Sequence, residues 1–163
     1  MGIIDGFLQS HKPRSHHIIE AHPAVYARMK TLGWDQKPGV FIHFGRWQDV
    51  LPRLRKAGLS FDGIFFDTFD EYYEDMLDFE RELSWLLRGS GVYSFFNGMA
   101  AGNRFFHAVY CRIAELDLAN LGMTVQYEPM PVKIDPTTWT GVKHKYWCLD
   151  TYYLPACRHK AST

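Results

Sequence analysis

Short apolar runs alternate along the chain with longer segments in which apolar residues recur every three or four positions. The short runs are typical of buried strands, and the periodic segments are typical of amphipathic helices. The pattern predicts strands over residues 16–22, 39–44, 63–67, 92–97, 123–128 and 146–153. It predicts helices over residues 1–11, 23–32, 47–57, 72–86 and 103–121. Pro52 lies inside the third helix, so that helix is expected to begin at Trp47 or a few residues later.

The order of these elements indicates an α/β fold. Strands that alternate with helices favour a doubly wound, mostly parallel sheet. The last two strands have no helix between them, so we expect them to be antiparallel neighbours at one edge. Gly-Ser-Gly at 89–91 is expected to end the fourth helix, 129–145 to form a loop, and 157–163 to form a polar tail. A length of 163 residues suits one domain with one core.

The stretch 61–69 is the centre of this pattern. Its apolar core ends in Asp67, and ligands of open α/β sheets bind outside the carboxyl ends of the strands. No Lys or Arg occurs from residue 57 to residue 80, whereas acidic residues are frequent there: Asp62, Asp67, Asp70, Glu71, Glu74, Asp75, Asp78 and Glu80. Such a region suits a cationic ligand. We expect Asp67 to act in a site, and Glu74, Asp78 and Glu80 to be solvated helix acids.

Other strand ends carry weaker signals. Glu20 and Asn97 also close predicted strands, although a surface carboxylate at position 20 is at least as common as a functional one. The histidines have no carboxylate spacing that would complete a metal site, so no metal is expected. The sequence contains no nucleophile elbow and no phosphate-binding GK[ST] string.

Composition narrows the class of protein. Acidic and basic residues balance at 18 each, which argues against a general binder of nucleic acid or of anionic membranes. Three cysteines are scattered without CxxC spacing, as expected in a reducing compartment. The absence of a long apolar run and of a signal-peptide pattern makes a soluble, cytoplasmic protein the expectation.

Several strings together resemble the fungal arginine N5-methyltransferases, the type IV protein arginine methyltransferases. The strings are Met1-Gly-Ile-Ile-Asp5, Ile19-Glu-Ala-His-Pro23, Gly45-Arg-Trp-Gln-Asp49, residues 61–69, Tyr93-Ser-Phe-Phe-Asn-Gly98 and Asp150-Thr-Tyr-Tyr-Leu-Pro155. This family is related to guanidinoacetate N-methyltransferase. The resemblance implies a Rossmann-like class I fold and S-adenosyl-L-methionine as the cofactor.

The resemblance also implies site residues. In the family, the end of a Gly-rich turn faces the methionine part of the cofactor. This position corresponds to Met1, Gly2, Ile3 and Ile4. Glu20 corresponds to the acid that binds the ribose, and the residues that flank or border the adenine are Ala21, His22, Trp47 and Gln48. Asp67 corresponds to the carboxylate near the sulfonium and the guanidino group. The neighbours of the substrate pocket are Thr68, Glu71 and Tyr72.

The implied substrate is an arginine in a protein, methylated on its δ nitrogen, for example in a ribosomal protein. Family members carry a first strand before the position of Met1, so the chain is expected to be a partial methyltransferase domain. That strand is expected between the strands of Glu20 and Asp67. Guanidinoacetate methylation and a non-catalytic remnant are the alternatives. The family also suggests a nuclear location besides the cytoplasm, while the oligomeric state is left open.

Overall fold

The computed structural model describes residues 3–68, 72–143 and 145–161. The helices are α1 (Ile3–Ser10), α2 (Pro23–Thr31), α3 (Trp47–Lys56), α4 (Tyr73–Arg81), α5 (Leu83–Leu86) and α6 (Arg104–Asn120). The strands are β1 (His16–Glu20), β2 (Val40–Phe44), β3 (Phe61–Phe66), β4 (Leu87–Phe95), β5 (Met123–Pro131) and β6 (Thr151–His159). Short 3-10 helices cover Trp34–Gln36 and Pro136–Trp139. Within the described residues, no helix has the length and apolar character needed to cross a membrane.

The chain forms two compact units, Met1–Leu59 and Ser60–Thr163. In the first unit, β1 and β2 form a parallel pair whose register runs from His16 opposite Val40 to Glu20 opposite Phe44. A small core of Met29, Trp34 and Val40 packs between this pair and α2. Because the strands are parallel, their carboxyl ends lie at the same edge.

The second unit contains a four-stranded sheet in the order β3-β4-β6-β5. β3 and β4 are parallel, whereas β6 is antiparallel to both β4 and β5. The α/β fold with parallel pairs and an antiparallel edge is therefore confirmed. Among the described residues β1 pairs only with β2, and β3 only with β4. A further strand beside β1 and β3 stays a prediction.

The last strand lies further along the chain than its apolar pattern indicates. Two predictions are wrong here: a strand over 146–153 and a polar tail over 157–163. The strand β6 instead runs from Thr151 to His159 and pairs with all nine residues of β5. Trp147 is buried in the preceding loop, where its Nε1 donates a hydrogen bond to the Leu149 carbonyl at 2.8 Å. Residues 146–149 therefore belong to a loop in which Trp147 packs inward, whereas Tyr146 and Cys148 are exposed.

The predicted helix over 72–86 is divided at Glu82 into α4 and α5, and Gly89–Gly91 lies inside β4. A Cβ atom at Gly91 would lie 3.0 Å from the Asp62 and Arg88 carbonyl oxygens. The β3–β4 register also shifts between Phe61 and Gly63. The glycine permits this close backbone approach at an irregularity in the sheet, so it does not end the element.

Glu80 lies in the core of the second unit, and the expectation that it is a solvated helix acid is wrong. It is 1% exposed because it shares the inward face of α4 with Met76 and Phe79. The Tyr93 hydroxyl donates a hydrogen bond to Glu80 Oε1 at 3.3 Å, whereas Oε2 has no partner among the described residues. Burial raises the pKa of Glu80 from 4.5 to about 8, since an ionised carboxylate loses its hydration there.

This raised pKa predicts that stability falls as pH rises from about 4.5 to about 8. In that range the unfolded chain releases the Glu80 proton while the folded chain keeps it, so the folded state is increasingly disfavoured. Glu80→Gln should remove this dependence of stability on pH. The difference in free energy of unfolding, variant minus wild type, should therefore be more positive at pH 8 than at pH 5. Urea unfolding at both values measures the effect. Asp78→Asn, at an exposed position on the same helix, is the control, and equal pH slopes in wild type and Glu80→Gln would contradict the prediction.

Candidate active site

In the first unit, Glu20 lies at the carboxyl edge of the parallel β1–β2 pair. Its Oε1 accepts a hydrogen bond from the backbone N–H of His22 at 2.6 Å, and its backbone carbonyl accepts one from Gly45 at 3.0 Å. These bonds connect the turn after β1 to the turn after β2. The Oε2 atom takes part in no hydrogen bond within the described residues, so it can accept from a ligand hydroxyl.

The predicted adenine-binding residues meet Glu20 at this edge. Gly45 has a φ of +137°, which turns the chain directly from β2 into α3, where Trp47 and Gln48 are the first two residues. The Gln48 Oε1 atom is buried without a hydrogen-bond partner among the described residues. Buried polar atoms are almost always hydrogen-bonded, so this acceptor is suited to an N–H donor supplied by a ligand.

The predicted cofactor residues at the start of the chain are less well placed. Met1 and Gly2 lie outside the described residues, Ile3 begins α1, and the Ile4 side chain is exposed. Asp5 and Gln9 of the same helix contact His16, at 3.2 and 3.0 Å, so these side chains hold α1 to the first residue of β1. A role for Ile3 and Ile4 near the cofactor stays a prediction.

In the second unit, the ends of β3 and β4 border a cleft of about 240 Å³. The parallel register places Phe66 beside Phe95, and the Phe96 N–H continues the ladder by donating to the Phe66 carbonyl at 2.9 Å. The residues that line this cleft are Phe66, Asp67, Thr68, Tyr72, Tyr73, Met76, Phe96, Gly98 and Met99. The structure therefore brings together the predicted Asp67, Thr68 and Tyr72, while Glu71 lies outside the described residues.

Asp67 is the only acidic residue among those lining this cleft in the described structure. The residue is exposed, yet partial burial of its carboxyl group raises its pKa above the usual 3.8. No described cation pairs with it, whereas Asp62 is paired with Arg88 at 2.7 Å and Asp78 is paired with Arg81. Partial desolvation without a partner makes Asp67 a suitable acceptor for a cationic ligand.

Sequence reasoning missed the part of the cleft that comes from β4 and α4. Phe96, Gly98 and Met99 follow β4, and Tyr73 and Met76 belong to α4. The rule that parallel strand ends share one edge could have identified the first three residues, since it was already applied to Asp67 and Asn97. Tyr73 and Met76 had no comparable signal, because both fit the apolar face of an ordinary helix.

Asn97 proves to be a structural residue beside the cleft. Its side chain is buried and donates from Nδ2 to the Tyr153 carbonyl at 2.9 Å. Its backbone N–H donates to the Tyr152 hydroxyl at 3.0 Å. Burial raises the pKa of Tyr152, and the nearby charge of Asp67 adds to this effect. Tyr152 therefore links the turn after β4 to β6 and lies within electrostatic range of Asp67.

His107 holds the next part of the same turn. It is buried, and its Nδ1 donates a hydrogen bond to the Met99 carbonyl at 2.8 Å, which leaves Nε2 facing Cys111 Sγ at 3.7 Å. Ala100, the following residue, has a φ of +52°. A non-glycine residue in this left-handed region is strained, and the His107 bond helps to hold it there.

The matching family model is described as guanidinoacetate N-methyltransferase, and it covers residues 1–121. Proteins named Protein arginine N-methyltransferase 2 are similar over nearly the whole chain. The Emericella nidulans protein is 48% identical over 98% of this chain, the Yarrowia lipolytica protein 45% over 96%, and the Saccharomyces cerevisiae protein 44% over 95%. The chain spans 38%, 34% and 38% of these three relatives, respectively.

A solved structure, that of the M1.HpyAVI-SAM complex, aligns with a TM-score of 0.45 at 13% identity, over 90% of this chain and 55% of that one. The family model is the more informative match, since it covers well over half of the 163 residues and includes Glu20, Gln48 and Asp67. The relationship inferred from the sequence strings is confirmed: the chain belongs to the guanidinoacetate N-methyltransferase family and is similar to the fungal proteins named Protein arginine N-methyltransferase 2.

Proposed function

We propose that the protein transfers a methyl group from S-adenosyl-L-methionine to a guanidino nitrogen, namely the δ nitrogen of an arginine in a protein such as a ribosomal protein. The observation that carries the proposal is Asp67, a partly desolvated carboxylate without a described cation partner, in a cleft with aromatic walls. Relatives at 44–48% identity are named as arginine methyltransferases, which supports the same substrate class.

The residues of the first unit fit the nucleoside part of the cofactor. Glu20 Oε2 can accept from ribose hydroxyls, while Oε1 stays bonded to His22. The unpartnered Gln48 Oε1 can accept from an amino group such as that of adenine. When bound, S-adenosyl-L-methionine supplies an electrophilic methyl group on a sulfonium.

Asp67 overcomes the chemical difficulty of the substrate. A guanidinium is a poor nucleophile because it stays protonated and its lone pairs are delocalised. A carboxylate that accepts its N–H groups holds the guanidinium in one orientation and can take up the proton that the reacting nitrogen loses. It also balances the positive charge that passes from the sulfonium to the guanidine as the methyl group is transferred. The cleft of about 240 Å³ is smaller than typical pockets of about 300–1,000 Å³, which suits the end of a side chain.

Guanidinoacetate is the second candidate substrate, and the description of the matching family model favours it. It carries the same guanidino group, so Asp67 would play the same part. The two substrates differ in the group attached to the guanidine: a peptide chain in one case and a free carboxylate in the other. Labelled methyl donor offered with guanidinoacetate and with a ribosomal protein mixture separates them, and label on guanidinoacetate alone would exclude the protein substrate.

Glu20→Gln tests the cofactor residues. The substitution keeps an oxygen for the His22 N–H but removes the charge, so affinity for S-adenosyl-L-methionine should fall about 10- to 100-fold. Calorimetric titration measures the affinity, and Asp35→Asn, at an exposed position in the same unit, is the control. Unchanged affinity would exclude Glu20 from the site. No binding to the wild-type chain at millimolar cofactor would favour a non-catalytic protein.

Asp67→Asn tests the substrate residue. The amide is nearly isosteric but cannot balance the guanidinium charge, so methyl transfer should fall at least about 100-fold. Affinity for S-adenosyl-L-methionine should change little. Incorporation of labelled methyl groups into arginine measures transfer, with Asp78→Asn as an acid control on the exposed face of α4. Turnover equal to wild type would remove Asp67 from the mechanism.

A further inference from the structure

Phe96 is an exposed aromatic residue at the same cleft as Asp67. Its side chain is 48% exposed although the ring lines the cleft formed by the ends of β3 and β4. Leaving a large apolar ring in water is unfavourable compared with burying it. A partner that covers the ring would recover this free energy, and the ring is placed where a ligand of Asp67 would lie.

Two aromatic residues and a backbone hydrogen bond hold the Phe96 ring in place. The ring lies nearly parallel to that of Tyr152, at 21° with a centroid distance of 6.2 Å, and the Tyr152 ring lies 5.5 Å from that of Trp147. The Phe96 backbone is fixed by the hydrogen bond to Phe66 that extends the β3–β4 ladder. This stack orients the ring without covering its surface at the cleft.

Gly98 provides the space that this ring orientation needs. A Cβ atom at residue 98 would lie 3.1 Å from both Cδ1 and Cζ of Phe96, and closer still to Cε1. Gly98 is not among the glycines with a positive φ, so its backbone conformation does not require glycine. The missing side chain at position 98 therefore serves the position of the Phe96 ring.

We propose that Phe96 is a specificity residue whose ring stacks on the plane of the substrate guanidinium while Asp67 binds its N–H groups. This inference rests on the proposed function and deepens it. A guanidinium is planar, delocalised and weakly hydrated, so it stacks on aromatic faces, whereas an ammonium is compact and strongly hydrated. The pair Phe96 and Asp67 thus selects arginine over lysine side chains.

Phe96→Leu tests the stacking directly. The KM for an arginine peptide should rise about 3- to 30-fold, with a smaller change in kcat, because the contact exists in both ground and transition states. The affinity for N-acetyl-arginine amide should fall in parallel, and the preference over N-acetyl-lysine amide should shrink. Phe96→Tyr should keep the wild-type KM, the wild-type affinity for N-acetyl-arginine amide and the wild-type preference for arginine. The control is Phe105→Leu, since Phe105 is 70% exposed on α6 and does not line the cleft.

Gly98→Ala tests whether the ring position matters. Its Cβ atom should displace the Phe96 ring and raise KM about as much as Phe96→Leu does. The double variant Phe96→Ala, Gly98→Ala should be no worse than Phe96→Ala, because the ring that Cβ would meet is gone. Gly102→Ala is the matched control, since an added Cβ there meets no atom within 4 Å. Thermal unfolding of each variant confirms that the fold is kept.

The outcomes separate this inference from the proposed function. Wild-type KM and wild-type arginine preference in Phe96→Leu, with methyl transfer to arginine intact, would overturn the role of Phe96 alone. Additive effects of Gly98→Ala in the Phe96→Ala background would overturn the role of Gly98. If the wild-type protein neither binds N-acetyl-arginine amide nor methylates arginine, the proposed function and this inference fail together.

Discussion

The parallel pairing of β3 with β4 is the interaction on which the cleft depends. The ladder ends with Phe66 beside Phe95 and is continued by the Phe96 N–H bond to the Phe66 carbonyl. Because both strands run in the same direction, the chain leaves them at the same edge. Asp67 and Phe96 are therefore neighbours although 29 positions separate them in the sequence, a distance that no local motif spans.

The turn after β4 is held by groups from elsewhere in the second unit. Tyr152 of β6 accepts the Asn97 N–H, the Asn97 side chain bonds the Tyr153 carbonyl, and His107 of α6 bonds the Met99 carbonyl. These hydrogen bonds are buried or partly buried, so breaking one would leave a desolvated polar group that costs about 1–3 kcal/mol. A turn fixed in this way can hold an exposed ring and a strained Ala100 without relaxing.

The acidic residues before and within α4 have different structural roles. Asp62 and Asp78 are paired with arginines at the surface, and Asp75 accepts the Tyr72 N–H at the start of α4. Glu80 is buried and kept protonated near neutral pH by its surroundings. Asp67 alone among these described acids borders the cleft. One described carboxylate therefore borders the cleft, which is fewer than the density of acidic residues in the sequence indicated.

Four features follow from the sequence alone: the α/β class, the approximate positions of five strands, the place of Asp67 at the end of a strand, and the family. These features depend on local periodicity and on short strings that survive in the primary structure, so they can be read without coordinates. Glu20, Trp47 and Gln48 were predicted from such strings to bind the cofactor, and this role stays a prediction. The parallel β1–β2 pair brings the ends of its strands, with Glu20 and the start of α3, to one edge.

Tertiary packing fixes three further features: the limits of β6, the burial of Glu80 and the composition of the cleft. The limits of β6 follow from its nine-residue register with β5, and pairing across the sheet overrides the apolar pattern at 146–149. Glu80 is buried because the sheet lies against its side of α4, which the charge pattern does not reveal. In the sequence, Phe96 and Gly98 look like the end of an ordinary strand, and it is the structure that shows them lining the same cleft as Asp67. In each case the deciding contact joins residues far apart in the chain, and such contacts are fixed by packing and not by local sequence.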